Sequence, residues 1–502
     1  MEVNIETKIH PFTSGLDETP EQEPELAFFP RNKNALPPIS RLPKEILGHI
    51  FSPLRDDDGS SPFRAGCPDW IAVTHVCSEW RAFGLGYALL WNSIVDQLSD
   101  TWIMAFVQRS SGAPLDVNLK CWRHSGQVVD SLFAEAGRWR CIDFNVGEQE
   151  VHLSHLLDGL AKAPEAPHLE SFSLHSYIYD SFDGPIDNSK IPFPPSAFNG
   201  STSGLRQLRL EEPLYPVPGS PLLSSLTSLD CPGSLTQDSI LALLASSPNL
   251  VYLRILPQIP VHVITIPIEL TSPFATRPVR LSDLQTLSID SRLSRTFLGL
   301  LQNLQLPSLQ HLSFDCTLEE LSDDTLMALS THVHTTQRNA GPIGLLSLCS
   351  FEWGAVALTA WSSAQVEAAS ASKSRLDAFV VHESGFEPLI HLEQESLYSL
   401  YPGFASMLQV LQLSGNSIRE LRVNRASSNT RAQWHAAFHS FDAVEVLEYH
   451  ESMEKYPILK AATPDGTMPR SLSAAEKARV LWRGFGAVVG LGKEQKGCRM
   501  SS

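Results

Sequence analysis

The sequence predicts an α/β chain: a short all-α unit near the N-terminus, then an irregular α/β solenoid of strands and helices. Three observations predict it. Residues 39–94 hold two short apolar stripes at helical spacing. From Leu169 to Tyr449 a pattern of apolar-x-x-apolar-x-apolar recurs with a drifting period. Short amphipathic helices fall between its copies, and one strand plus one helix per copy is the unit from which a solenoid is stacked.

The first helix starts at Pro43, because the first helical turn has no partner for the N–H that proline lacks. Ile46, Leu47, Ile50 and Phe51 make one apolar stripe, and Pro53 is expected to stop the run. Trp70, Val73, Val76, Cys77 and Trp80 repeat at three to four residues, which predicts a second amphipathic helix with Asp69 available as its N-cap. Two short helices cannot bury this many large side chains against each other, so part of the apolar face is left for a partner.

The order LPxEIL, IF, a W-x2-V-x2-VC-x2-W helix and LW resembles the F-box, a module that docks on the Skp adaptor of cullin-RING ubiquitin ligases. The likeness is nearest to the large F-box families of mushroom-forming fungi. Leu42, Pro43, Ile46, Leu47, Ile50, Phe51, Val76, Cys77, Trp80, Arg81, Leu90 and Trp91 fall in the matching order, as does Glu45, and the resemblance implies that the twelve bind the adaptor. A polar insert, RDDDGSSPFRAGCPD, separates the two helices, and Gly84 and Gly86 weaken the second, each costing about 1 kcal/mol against alanine.

Composition bounds the rest. A net charge of -17 disfavours nucleic acid and anionic membrane, and no basic patch offsets it. Eight cysteines without a C-x2-C pair argue against a zinc cluster and a disulfide scaffold. The N-terminus lacks an apolar signal-like region and no long apolar run appears, so a soluble cytoplasmic and/or nuclear protein is expected. The Asn199-Gly200-Ser201 triplet is then no glycosylation site.

In chain order, residues 1–35 read as a disordered acidic tail, rich in Glu and Pro, with Phe28 and Phe29 able to pin its end. The F-box-like unit occupies 36–94. Residues 95–460 form the leucine-rich-repeat-like solenoid, and 461–502 a loosely attached tail whose end, SAAEKARVLWRGFGAVVGLGKEQKGCRMSS, gives one helix and then a glycine-rich stretch. After the LW pair, Trp102, Ile103, Phe106 and Val107 stripe a helix capped by Ser99 or Asp100. A strand at Leu115 to Leu119, a helix at Val128 to Phe133 and a strand at Ile142 to Val146 come next. This run also resembles the segment C-terminal to the F-box in those fungal families.

The copies are LESFSL, LRQLRL, LTSLDC, LVYLRI, LQTLSI and LQHLSF, then IRELRV and VEVLEY. They resemble a degenerate leucine-rich repeat that lacks the usual asparagine after the strand; a plain α/β sheet with leucine-rich edges gives the same pattern. Helices are expected at DSILALLASSPN and SRTFLGLLQN, and the Pro-rich stretches at 185–204 and 256–278 as loops bulging from the array. Residues 315–405 read as insertions between divergent copies.

No catalytic motif proposes an enzyme: there is no G-x-S-x-G, H-E-x-x-H or P-loop. Gly484, Gly486 and Gly490 imitate a dinucleotide fingerprint without the βαβ context it needs. His332 and His334 have no third ligand at a suitable spacing and read as solvated histidines, so no metal and no cofactor are expected.

Two readings of function result. In the first, the chain is a non-catalytic substrate receptor that binds the adaptor through the F-box and a target protein through the repeat surface. In the second it is an interaction scaffold acting outside ubiquitination; a hydrolase stands far behind both. Strand geometry turns the residues between the apolar positions outward, onto one face. Arg209, Tyr252, Arg254, Thr286 and His311 on that face are the candidate target contacts, and the positive charge of Arg209 and Arg254 suggests an acidic target.

Overall fold

The structure, a computed structural model, describes residues 42–56, 68–147, 150–176, 191–200, 203–233, 235–256, 278–291, 295–316, 323–350, 355–372, 388, 390–395, 418–424, 446–450, 478–481 and 499–500 of the 502. Phe28, Phe29, Gly484, Gly486 and Gly490 lie outside the described residues.

Helices α1 (Lys44–Asp56) and α2 (Ser78–Gly86) flank a 3-10 helix, Asp69–His75. Two expectations fail here. Pro53 lies inside α1 rather than ending it, in a last turn where only one backbone hydrogen bond is forfeited before the helix stops. The single second helix is in fact two pieces, because Cys77 is extended (φ -157, ψ 168) and acts as the N-cap of α2, its Sγ accepting the Trp80 N–H at 3.4 Å.

Strands and helices then alternate: β1 (Ser93–Val95), α3 (Asp100–Arg109), β2 (Leu115–Lys120), α4 (Gly126–Ala134), β3 (Trp139–Asn145), α5 (Glu150–Lys162) and β4 (Ser171–His175). After the short β5 (Ile191–Pro192) come β6 (Gln207–Leu210), β7 (Leu214–Tyr215), β8 (Ser228–Pro232), α6 (Gln237–Ala245) and β9 (Tyr252–Leu256). Next are β10 (Val279–Arg280), β11 (Thr286–Ser291), α7 (Arg295–Asn303), β12 (Leu304–Gln305), β13 (His311–Cys316) and α8 (Asp323–Ala340). The rest are β14 (Ile343–Ser350), β15 (Ala355–Ser362), α9 (Ser363–Ser372), β16 (Ile390–Glu395), β17 (Glu420–Asn424), β18 (Val446–His450), β19 (Ala478–Leu481) and β20 (Arg499–Met500).

Sixteen of these strands form one sheet in the order β1-β2-β3-β4-β6-β8-β9-β11-β13-β16-β15-β14-β17-β18-β19-β20. From β1 to β13 every neighbouring pair is parallel. A βαβ connection explains this where a helix intervenes, since parallel strands need a crossover. β14 and β15 are an antiparallel pair set into the parallel order, with β16 between them and β13. They occupy the stretch expected to hold insertions. Over 478–481 the structure has a strand antiparallel to β18, not a helix, because an open strand edge offers unpaired N–H and C=O groups that outweigh local helical propensity.

Period-two burial divides the sheet into two faces. In β2 the pattern is buried at Leu115, Val117 and Leu119, and in β3 Ile142 and Phe144 are buried. These side chains join those of α3 to α7 in one hydrophobic core, in which α3 packs on α4, α4 on α5, α6 on α7 and α7 on α8. Aromatic rings thread it: Trp139, Phe144, Phe172 and Phe198 meet edge to face at centroid distances of 5.6 to 6.4 Å. Phe198, with Phe193, belongs to the Pro-rich stretch expected to bulge outward; both are buried against Phe172, because a partly apolar loop gains more by covering the core than by solvation. The opposite sheet face is half-buried and polar.

Candidate docking surfaces

On α1 the Pro43 carbonyl accepts the Leu47 N–H at 3.1 Å, so the helix is engaged from its first turn. Leu47 and Phe51 point inward, and the Phe51 ring meets Trp80 edge-on at 5.0 Å and Phe83 at 5.8 Å. Ile46, Ile50 and Leu54 recur every four residues on the other side, 44%, 40% and 45% exposed. Val76, beyond the 3-10 helix that α1 touches, is 62% exposed. Pro43, Cys77 and Arg81 are also exposed, Leu42 and Trp80 half-buried. Arg81 donates from Nε to the Thr74 carbonyl at 3.0 Å and so braces the junction between the two helical pieces. Leu54 and Leu89 add exposed apolar surface that the motif alone does not single out; Leu54 shows once α1 is known to run past Pro53.

Four of the twelve expected adaptor contacts are core residues: Leu47, Phe51, Leu90 and Trp91. Trp91 is 1% exposed and cannot touch a partner without unfolding its surroundings. Its ring lies edge-on to Trp70 at 5.1 Å and to Phe106 at 5.0 Å, with Trp102 stacked at 6.5 Å and the Arg109 guanidinium 4.9 Å from its centroid. Its Nε1 donates to the Gly84 carbonyl at 2.8 Å. Trp91 thereby ties the end of α2 to α3. Gly84 fits closely here, as a Cβ would sit 3.1 Å from the Thr74 methyl, a tight contact that the methyl would have to relieve.

The second surface is the polar face of the sheet. Register aligns Gln207, Ser228, Tyr252, Thr286 and His311 in one row, and Ser173, Arg209, Asp230, Arg254, Ser288 and Ser313 in the next. The structure therefore brings the five candidate target contacts onto one face, all half-buried. His311 is not free: its Nδ1 donates to the Pro388 carbonyl at 3.1 Å.

Arg209 is not a free cation either. Its Nη2 donates to Glu211 at 2.8 Å, and its Nε lies 3.8 Å from Asp230. The inference of an acidic target from Arg209 fails for that reason: its charge is already matched. Glu211 also accepts from His175 Nδ1 at 2.9 Å, while His175 Nε2 donates to Asp143 at 3.1 Å. Burial opposes the charged form of His175, but its two carboxylate partners outweigh this and push its pKa up to about 9. Burial likewise works against ionised Glu211, yet bonds to His175 and Arg209 hold it below the usual range; at Asp230 burial prevails and the carboxyl is raised. Asp230 is an outward position of the copy LTSLDC; Asp143, His175 and Glu211 lie just outside the copies and are invisible to motif reading.

Near the C-terminal ends of the strands, exposed Trp122 lies over Gly147, whose φ of 70 and missing side chain make room for the ring, and the Arg123 guanidinium sits 5.4 Å from its centroid. His332 is buried rather than solvated, its Nε2 donating to the Leu301 carbonyl at 2.9 Å, and burial lowers its pKa. Among the described residues no group of three or more His, Cys, Asp or Glu is placed to hold a metal, and no helix is long and apolar enough to cross a membrane.

No curated protein matches the chain. A family profile described as F-box-like matches residues 39–97, which span α1, the 3-10 helix, α2 and β1. The helical unit that exposes Ile46, Ile50 and Val76 and closes on Trp91 is therefore an F-box-like domain, joined through a shared core to a mixed sheet of strands and helices.

Proposed function

We propose that the chain is a substrate-recognition subunit of a Skp-cullin-F-box type ubiquitin ligase of the kind abundant in mushroom-forming fungi. The observation that carries this reading is the coincidence of the F-box-like match with the exposed aliphatic stripe Ile46, Ile50 and Leu54. F-box domains typically bind Skp-type adaptors in cullin-RING ligases. Ile46, Ile50 and Leu54 are already more than half buried, so completing the burial of each on docking contributes about 1 kcal/mol.

The region after the F-box-like domain acts, on this reading, as a leucine-rich-repeat-like solenoid whose polar face holds the target. Its support is that the copies between Leu169 and Phe314 each become a strand lying parallel to the next copy, with their leucines buried. The receptor does no covalent chemistry: by holding target lysines near a charged ubiquitin carrier it makes an intermolecular transfer effectively intramolecular. It works in the cytoplasm and/or nucleus, a setting consistent with the free thiols of Cys77, Cys121, Cys141 and Cys231.

The test is co-purification of the full chain with a Skp-type adaptor. Binding that is abolished by Ile50→Asp with Val76→Asp supports the reading. Failure of the intact chain to bind overturns it in favour of a scaffold outside ubiquitination.

A further inference from the structure

We propose that the polar face of the sheet takes an extended acidic segment of its target over β9 and β11, with one carboxylate seated on the Arg254 guanidinium. This rests on the reading of that face as the target surface and names the chemistry it selects.

The argument is one of alternation. Across five successive strands the outward charges run Asp143, His175, Glu211, Arg209, Asp230 and Arg254, negative and positive in turn. Each inner member stands between two opposite charges. The series ends on Arg254, since the next positions in register, Ser288 on β11 and Ser313 on β13, are neutral hydroxyls. Arg209 is fixed by a hydrogen bond from Nη2 to Glu211, whereas Arg254 meets Asp230 through its charge alone; the buried Nε of each arginine has no acceptor among the described residues. A guanidinium fork matches a carboxylate in two parallel bonds, and a half-buried one is screened less than a cation in open solvent. Tyr252 and Thr286, opposite each other in the adjacent row, flank the same spot with hydroxyl groups.

The test uses a fluorescently labelled nine-residue peptide of alternating glutamate and serine, with a lysine-serine counterpart, titrated into the purified full chain at low ionic strength and followed by anisotropy. The glutamate peptide is expected to bind despite the net charge of -17, and Arg254→Gln to weaken it at least tenfold. Ser288→Asp, which places a competing carboxylate beside Arg254 in register, should weaken it to a similar extent and decides the matter should Arg254→Gln fail to fold. Equal binding by wild type and either folded variant, no binding of the glutamate peptide, or preferential binding of the lysine peptide overturns the proposal. The peptide assay contains no adaptor, so loss of adaptor binding with the peptide result intact would overturn the receptor reading and leave this one standing.

Discussion

The two candidate surfaces are built on opposite principles. The α1 side of the F-box-like domain exposes aliphatic side chains that no described residue covers, while the sheet face exposes charges that mostly satisfy one another. An apolar stripe supplies affinity by burial and is indifferent to the exact polar chemistry of its partner. A face of paired charges supplies little net affinity, because each ion must exchange a good partner for another, and it discriminates instead. On the proposed receptor reading, the apolar stripe suits a shared adaptor and the charged face a selected target.

The sharpest way to break this comparison is Trp91→Ala, which removes the packing shared by both regions. Loss of a fully buried tryptophan costs about 3–5 kcal/mol. Thermal unfolding should show a large fall in melting temperature, with adaptor and target binding lost together. If only adaptor binding were lost and the melting curve stayed put, Trp91 would be a docking residue after all.

Ile50→Asp comes next and should separate the surfaces. Adaptor affinity is expected to fall by more than about tenfold, the equivalent of 1.4 kcal/mol, with the melting temperature nearly unchanged because the side chain is already 40% exposed. Adaptor titration and a melting curve on the same preparation check both halves.

Glu211→Gln probes the polar face. It removes the negative charge shared by His175 and Arg209 while leaving a neutral carbonyl acceptor, and should cost about 1–3 kcal/mol. The pH dependence carries the same information. The folded pKa of His175, about 9, is above its ordinary value of 6.5, so the stability it contributes is fully present below 6.5 and is lost as pH rises through 9. Wild-type melting temperature should therefore fall between pH 7 and pH 9.5 by about 1–3 °C more than that of His175→Gln. Parallel pH profiles would show that the imidazolium contributes nothing.

The smallest effect is expected at Cys77→Ser. A serine hydroxyl is a favoured N-cap acceptor where the thiol is a weak one, so α2 should gain about 0.5 kcal/mol. Adaptor affinity should change little; a marked loss would give the exposed Cys77 thiol a docking role of its own.

Local pattern carried much of the architecture. The copies from LESFSL to LQHLSF announce their strands because alternation of side chains follows directly from extended φ/ψ, and DSILALLA and SRTFLGLL announce α6 and α7 through their helical period. Where pattern misled, a specific contact decided, a local one at Cys77 and distant ones in the other two cases. Cys77 breaks the second helix in two while Arg81 and Trp80 bond back across it. Phe193 and Phe198 sit in a Pro-rich stretch, yet Trp139 and Phe172 offer them a core. Within the C-terminal stretch expected to hold a helix, residues 478–481 are β19, whose pairing partner is β18.

The sequence by itself determined that α1 has an apolar stripe, that the copies are strands and which strand residues share a face, since these depend only on a residue's own backbone and its near neighbours. Tertiary structure alone decided that Leu47 and Phe51 face the core while Ile46 and Ile50 face solvent, that Trp91 is a joint and not a contact, and that Arg209 is matched while Arg254 ends its row. Each of those outcomes depends on which distant side chain or strand lies opposite, and Coulomb attraction and burial act over distances in space, to which spacing along the chain is no guide.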